Sequence, residues 1–267
     1  MERAESNNNV AIEMHGVDVS AMSDPSRITV RDVNWTVRTG DYWVVGGLQG
    51  SGKSDFLLLT GGLMSPAAGT YTLFGQPMPI FEDRRLPERL RLGLVFEGGQ
   101  LLNHLTVWEN VALPLRYHRN LRRSEVLSEV QAVLDWMGLT TWADSTPGAL
   151  GRSWQKRVGL ARALILRPEV LLIDNPLGGM DVRQARWYLQ FLDELSAGHL
   201  ITGGRPVTLV VTAADLRPWQ GHARQIAILR DDRLSVPGDW SRIEAAGREI
   251  IGELLPQEEG GGALPTT

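Results

Sequence analysis

The sequence predicts an α/β fold with a mostly parallel sheet covered by helices. Three observations predict it. Apolar strand-like runs alternate with helical stretches along most of the 267 residues. A glycine-rich loop, Gly47-Leu48-Gln49-Gly50-Ser51-Gly52-Lys53-Ser54, stands between a strand-like run and a helical one. A later apolar run, Leu171-Leu172-Ile173, ends in Asp174.

The elements follow in order. Residues 1–9 are polar, lack the features of a signal peptide and read as a disordered extension. Val10 to Val37 alternates apolar and polar residues, which predicts strands with a turn at Ser23-Asp24-Pro25-Ser26. Tyr42-Trp43-Val44-Val45 reads as a buried strand. Phe56-Leu57-Leu58-Leu59 opens a helix that stops at Gly61-Gly62. Gly69 to Gly75 reads as another strand and Leu92 to Phe96 as a short buried one. A helix is expected between Ser124, as its N-cap, and Gly138, as its stop. Its apolar face would carry Val126, Leu127, Val130, Val133, Leu134 and Met137. Val170 to Asp174 and Val207 to Val211 are further buried strands. Residues 256–267, with Gly260-Gly261-Gly262, read as a flexible tail, and no internal repeat is visible.

Bulk properties narrow the class. A hydrophobic fraction of 43% and a charged fraction of 22% are ordinary for a soluble globular domain. The net charge of −4 gives no electrostatic case for a nucleic-acid partner. With no cysteine, disulfides and thiolate chemistry are excluded, and a reducing compartment is allowed. No apolar run reaches the length that spans a bilayer, so any membrane role is expected to come through a partner.

The glycine loop carries the first chemical reading. Strand, glycine loop, then helix is the context in which this pattern holds phosphate. Glycines let backbone N–H groups of Gly47, Gly50, Ser51 and Gly52 turn toward phosphate oxygens without a side-chain clash. The helix start adds partial positive charge. Lys53 is expected to reach the outer phosphates and the Ser54 hydroxyl to ligate magnesium. An apolar strand ending in Asp174 places a carboxylate for the same metal, although many buried strands end in a turn-forming aspartate.

Taken with Leu105-Thr106-Val107-Trp108-Glu109-Asn110-Val111-Ala112-Leu113-Pro114-Leu115-Arg116, Pro147-Gly148-Ala149-Leu150, Arg157 to Leu164, Ile173-Asp174-Asn175-Pro176 and Gly178-Gly179-Met180-Asp181, these motifs give the chain a family likeness. Over about residues 10–255 it resembles the nucleotide-binding subunit of ATP-binding cassette (ABC) transporters. The resemblance implies a P-loop NTPase fold: a RecA-like core, an N-terminal antiparallel β-subdomain and an inserted helical subdomain at about 101–168. It implies ATP and Mg2+ as cofactors, a second cassette and an integral membrane permease as partners, and a cytoplasmic place at the inner face of the membrane. Two such cassettes pair head to tail, each ATP lying between one phosphate loop and the other subunit's signature motif.

The chain departs from the family where the chemistry happens. Asn175 stands where the family has a glutamate that activates water. An amide can orient water but has no basic lone pair to take its proton. Ala213 stands where a histidine senses the γ-phosphate, and Glu97 where a glutamine touches metal and water. The signature segment aligns with Leu150-Gly151-Arg152-Ser153-Trp154, which replaces or crowds the groups that meet the partner's nucleotide. Asp55 follows Ser54 where a hydroxyl usually faces the α-phosphate, and no aromatic stands near Val19 to Met22 to stack on adenine. Asp55 is either a like charge beside the phosphates or an ordinary first-turn acid.

Pairing sharpens this. In a homodimer both sites lack the base; with an intact cassette, Asn175 alters one site and the 150–154 segment the other. A compensating reading has Arg152 reach a phosphate in trans while Glu97 stands in for the base, with Ser153 capping the next helix. The bland reading makes Arg152 and Trp154 surface or protein-contact residues. Trp108 is either a permease contact or core, Asp181 an interface-loop acid or a turn former. His15, His104, His118, His199 and His222 have no ligand spacing and read as structural. The expectation is an ATP-binding transporter subunit with slow or impaired hydrolysis; the alternative is a non-hydrolysing regulatory or scaffold subunit.

Overall fold

Ten strands in the described residues form one sheet. The computed structural model describes residues 9–79 and 83–242. The expected loose segments at 1–8 and 256–267 lie outside those residues; Asn9 is exposed, and its carbonyl accepts from Thr39 N at 2.9 Å. In chain order the strands are β1 (Val10–Ala21), β2 (Asp24–Arg38), β3 (Tyr42–Gly47), β4 (Ala68–Leu73), β5 (Gln76–Pro77) and β6 (Leu92–Val95). They continue with β7 (Val170–Ile173), β8 (Thr208–Ala213), β9 (Gln225–Arg230) and β10 (Arg233–Gly238). Across the sheet the order is β5-β4-β1-β2-β10-β9-β3-β8-β7-β6.

The order divides the sheet into two regimes. β9, β3, β8, β7 and β6 are parallel neighbours, and the apolar runs of the inner strands β3, β8 and β7 are buried on both faces, as parallel strands require. β5, β4, β1 and β2 are antiparallel, with a polar face at β2. β10 joins the two, antiparallel to β9 and parallel to β2 through Arg233 and Arg31.

Six α-helices cover the described sheet: α1 (Lys53–Thr60), α2 (Leu86–Arg89), α3 (Val107–His118), α4 (Arg123–Trp136), α5 (Arg152–Leu164) and α6 (Val182–Ala197). Successive residues of β3 feed opposite cores, following the strand period of two. Trp43 and Val45 pack with Trp35 and Phe56 against α1, while Tyr42 and Val44 pack with α3 to α6. The Trp35 ring meets Trp43 edge-on at 5.6 Å and Phe56 at 5.3 Å, contacts worth ~1 kcal/mol each beyond burial.

The helical insert between β6 and β7 is locally well specified. Thr106 and Glu109 form a reciprocal capping box that starts α3, with bonds of 3.1 and 2.9 Å. Asn110, fully buried, holds the preceding loop: its amide donates to Leu102 O and its oxygen accepts from Leu102 N. That loop leads back to Glu97.

Four sequence expectations shift. The β1–β2 turn is Met22-Ser23, because Ala21 already pairs with Asp24; Asp24 to Ser26 begin β2. Arg122, not Ser124, precedes α4, because Glu125 reaches back to accept from Arg122 N at 2.6 Å. Leu127 is 51% exposed rather than on the buried face of α4. Ser153 lies inside α5 and caps nothing, since the chain enters that helix through Gly151.

Candidate nucleotide site

The phosphate loop is a consequence of backbone geometry. β3 delivers the chain to Gly47, and α1 begins at Lys53. Gly52 holds φ +88°, a left-handed conformation that costs a side-chain residue energy. A Cβ there would lie 3.1 Å from Val30 Cγ2 and 3.2 Å from Thr29 Cβ, so the loop packs directly on β2. Gly52 is also the N-cap of α1 and offers no capping side chain. The first-turn residues Lys53, Ser54 and Asp55 line the cavity with no side chain capping the helix start, an arrangement that suits anions.

Lys53 Nζ donates to Gly47 O and Leu48 O, both at 2.7 Å. Burial lowers its proton affinity, while the charges of Asp174 and Glu97 pull the other way. Ser54 Oγ donates to Asp174 Oδ2 at 2.9 Å, joining the end of β3's loop to the end of β7. Thr212 Oγ1, on buried β8, donates to the other oxygen, Asp174 Oδ1, at 2.6 Å and accepts from Asn175 N at 3.0 Å. Sequence reasoning missed Thr212. Its signal was a hydroxyl directly after the buried run from Val207 to Val211, between Val211 and Ala213.

The donor set fits magnesium held jointly with phosphate. Ser54, Asp174 and Glu97 supply a hydroxyl and two carboxylates to one cavity. Among the described residues no group of three or more His, Cys, Asp and Glu could hold a metal alone. Magnesium is bound in that way, through one or two carboxylates completed by substrate phosphates and water.

Asn175 is turned toward Glu97. Its backbone sits at φ +40°, and its Nδ2 donates to Glu97 Oε1 at 2.6 Å. Gly178 makes room for this amide, because a Cβ there would lie 2.5 Å from Asn175 Nδ2. The Asn175–Glu97 pair is a shared wall between two cavities. The first, about 450 Å³, is lined by Gln49, Gly50 and Gly52 to Asp55 of the phosphate loop, Asp174, and Ala21, Ser23, Arg27 and Thr29 of the hairpin; Ser51 turns its N–H to Leu48 O at 3.2 Å instead. The second, about 620 Å³, is lined by Arg152, Gln155 and Lys156 of α5 with Gly98, Gly178 and Gly179.

The remaining expected residues are spread around this wall. Asp55 Oδ1 accepts from Met22 N at 3.0 Å, so its carboxylate ties α1 to the β1–β2 turn while still lining the first cavity. Ala213 is buried against the helical core, and its neighbour Ala214 lines the cavity. Arg152 is exposed at the start of α5, across the wall from its own phosphate loop. Trp154 is half-buried: the Arg157 guanidinium lies between it, at 4.6 Å, and Trp187, at 3.4 Å. Burial brings the Arg157 pKa down to about 10.

Residues quoted from more distant motifs take structural places. Trp108 is core, with the Arg123 guanidinium 4.0 Å over its ring. Asp181 caps α6 by accepting from Gln184 N at 2.8 Å. His199 Nδ1 accepts from Ile201 N, and His222 Nδ1 lies 2.7 Å from Asp193 Oδ2.

Known proteins resemble this chain in sequence and fold. A family profile described as ABC transporter matches residues 30–178, more than half the chain. A protein named "Spermidine/putrescine import ATP-binding protein PotA" from Trichodesmium erythraeum is 34% identical over 80% of this chain and 53% of its own length. "Methionine import ATP-binding protein MetN 1" from Acinetobacter baylyi is 27% identical over 86% of this chain and 63% of its own length. The chain thus spans roughly half to two thirds of the curated relatives it matches. Among solved structures, the ATP-binding cassette MJ0796, described as a dimer in a post-hydrolysis state bound to ADP and Pi, superposes with a TM-score of 0.73. It is 26% identical and covers 84% of this chain and 98% of its own. These likenesses show the α/β P-loop NTPase fold of ABC cassettes, a family that binds ATP with Mg2+ and works as dimers beside membrane permeases. No described helix is long and apolar enough to cross a membrane. The chain belongs to the ABC transporter family.

Proposed function

We propose that this chain is an ATP-binding subunit of an ABC transporter that holds Mg-ATP well and hydrolyses it slowly. Nucleotide binding at Gly47 to Asp55 would draw it against a second cassette, and that closure would act on a membrane permease from the inner face. Lys53 and the open turn of α1 bind and orient the phosphates; Ser54, Asp174 and Glu97 hold the cation. Magnesium, when bound, neutralises phosphate charge.

One observation carries the reading. The group after Asp174 is an amide, and it donates its proton to Glu97 at 2.6 Å. A general base there contributes about 10²–10⁴-fold to rate. Asn175 cannot supply that, and Glu97 has one oxygen committed to the amide. The alternative, a non-hydrolysing regulatory or scaffold subunit, draws on the same bond: a site whose carboxylate is already paired is suited to binding without turnover. Arg152 in trans, with Glu97 as base, remains the route by which residual turnover would occur.

The test is ATP turnover in the wild type beside Asn175→Glu with Glu97→Gln. Asn175→Glu alone sets two carboxylates within contact distance, which raises the proton affinity of the pair; the second substitution relieves that. Turnover is expected to rise about 100-fold in the double variant and less in the single one. A wild type that already matches the double variant overturns the slow-hydrolysis reading.

A further inference from the structure

Two lysines stand among the chain's 27 basic residues, Lys53 and Lys156, and the fold brings both to this one site. Lys156 lies one turn into α5 and is 6% exposed. Its Nζ donates to Asn175 O at 2.9 Å, Pro176 O at 3.1 Å and Gly178 O at 2.7 Å. An ammonium has three protons and no acceptor, so the count is complete. A planar guanidinium cannot aim three N–H groups from one point.

The segment it grips is held by few backbone bonds of its own. Between Asn175 and Met180 its backbone–backbone bonds are turn bonds, Gly178 N to Asn175 O at 3.3 Å and Met180 N to Leu177 O at 3.1 Å, while Pro176 is buried and Leu177 and Met180 pack on the helical core. Asn175 is in a left-handed conformation. Its other groups are committed to the metal end of the site: its N–H to Thr212, which orients Asp174, and its Nδ2 to Glu97. Lys156 therefore fixes the carbonyl of a residue that aims both carboxylates.

We propose that Lys156 is a positioning residue for the magnesium end of the nucleotide site, acting through the Asn175–Gly178 loop. This rests on the Mg-ATP reading above. It also ties that loop to α5, so Arg152, one helical turn before Lys156, shares a rigid element with it. Burial weakens the hold of Lys156 on its proton, and the charge of Arg152 adds to this, while Glu97 and Asp174 pull part of the way back.

The chain's composition makes the test direct. Isotope labelling of lysine side chains in the full chain should give two signals, assigned with Lys156→Met. Mg-ATP is expected to shift both; ATP with EDTA is expected to shift Lys53 alone. A moving Lys53 beside an unmoved Lys156 overturns the proposal and leaves the nucleotide reading standing. If neither moves, the nucleotide reading falls and takes the proposal with it. In Lys156→Met, the affinity of the ATP complex for Mg2+ is expected to fall about tenfold, the scale seen when groups behind metal ligands are removed, with a much smaller change for ATP in EDTA. Because the chain has no cysteine, Lys156→Cys alkylated with bromoethylamine returns an ammonium to that one place and should restore Mg2+ affinity. A lowered melting temperature with unchanged Mg2+ dependence overturns the proposal.

Discussion

The phosphate loop and the Asp174–Asp181 segment leave the sheet on either side of β8, yet they are held in different ways. The phosphate loop presents backbone N–H groups whose directions are set by glycines, Gly52 above all. The Asp174–Asp181 segment presents side-chain ends: the carboxylate of Asp174, the amide of Asn175, and a turn tied down by Lys156. Backbone geometry tolerates few residues, so the first region keeps its motif. Side-chain chemistry can change without disturbing the fold, so the second carries an amide at Asn175 and still places its neighbours. On the reading proposed above, binding and turnover are thereby separable in one chain.

Substitutions can break this comparison or sharpen it. The largest expected effect is Lys53→Met. Charge-assisted hydrogen bonds are worth up to ~3 kcal/mol, so ATP affinity, read by calorimetry, should fall about 100-fold with little change in melting temperature. An unchanged affinity would mean that the backbone alone binds phosphate. Next is Asp55→Asn, which keeps an acceptor for Met22 N but removes a like charge near the phosphates. Affinity should rise about fivefold, from ~1 kcal/mol of relieved repulsion. No gain at low salt would show that the carboxylate is wholly given to the hairpin turn.

Asp181→Ala addresses the far end of the second region. Losing an N-cap costs ~1 kcal/mol, visible as a lower denaturant midpoint, while ATP affinity in EDTA should not move. The smallest effect concerns the base of the strand that carries Asp174. Glu169 accepts from Arg91 Nε at 2.7 Å and from its Nη2 at 2.8 Å, and these bonds hold its carboxyl below the ordinary glutamate range. The stabilisation is complete above that range and is lost as pH falls through the lowered value. Glu169 is about a third exposed, so solvent screening leaves ~0.5 kcal/mol. Glu169→Gln should narrow the stability difference between pH 7 and pH 3 by that amount in paired urea titrations.

Much of the fold was legible because periodicity reports burial. The apolar runs at Tyr42, Val170 and Val207 read as buried strands and became β3, β7 and β8. The exceptions have local causes. Leu127 joined an apolar helical stripe that the tertiary packing leaves at the surface. Ser124 looked like a cap, yet Glu125 formed its bond one turn boundary earlier, with Arg122. At the site, Ser54 and Asp174 were legible because each is the polar end of a recognisable element. Thr212 and Lys156 were not, since their roles depend on partners 38 and 19 or more residues away along the chain.

The sequence by itself determined which groups are available: a glycine loop with a lysine and a serine, an aspartate at a strand end, and an asparagine after it. It determined the α/β class as well, because strand and helix periods are local properties of residues. Only the tertiary structure decided what those groups do to one another. It brought Asn175 to 2.6 Å from Glu97 and placed the pair as a wall between two cavities. It also gathered the chain's two lysines around them. Hydrogen bonds act over about 3 Å, and chain separation says nothing of distance on that scale until the sheet is assembled.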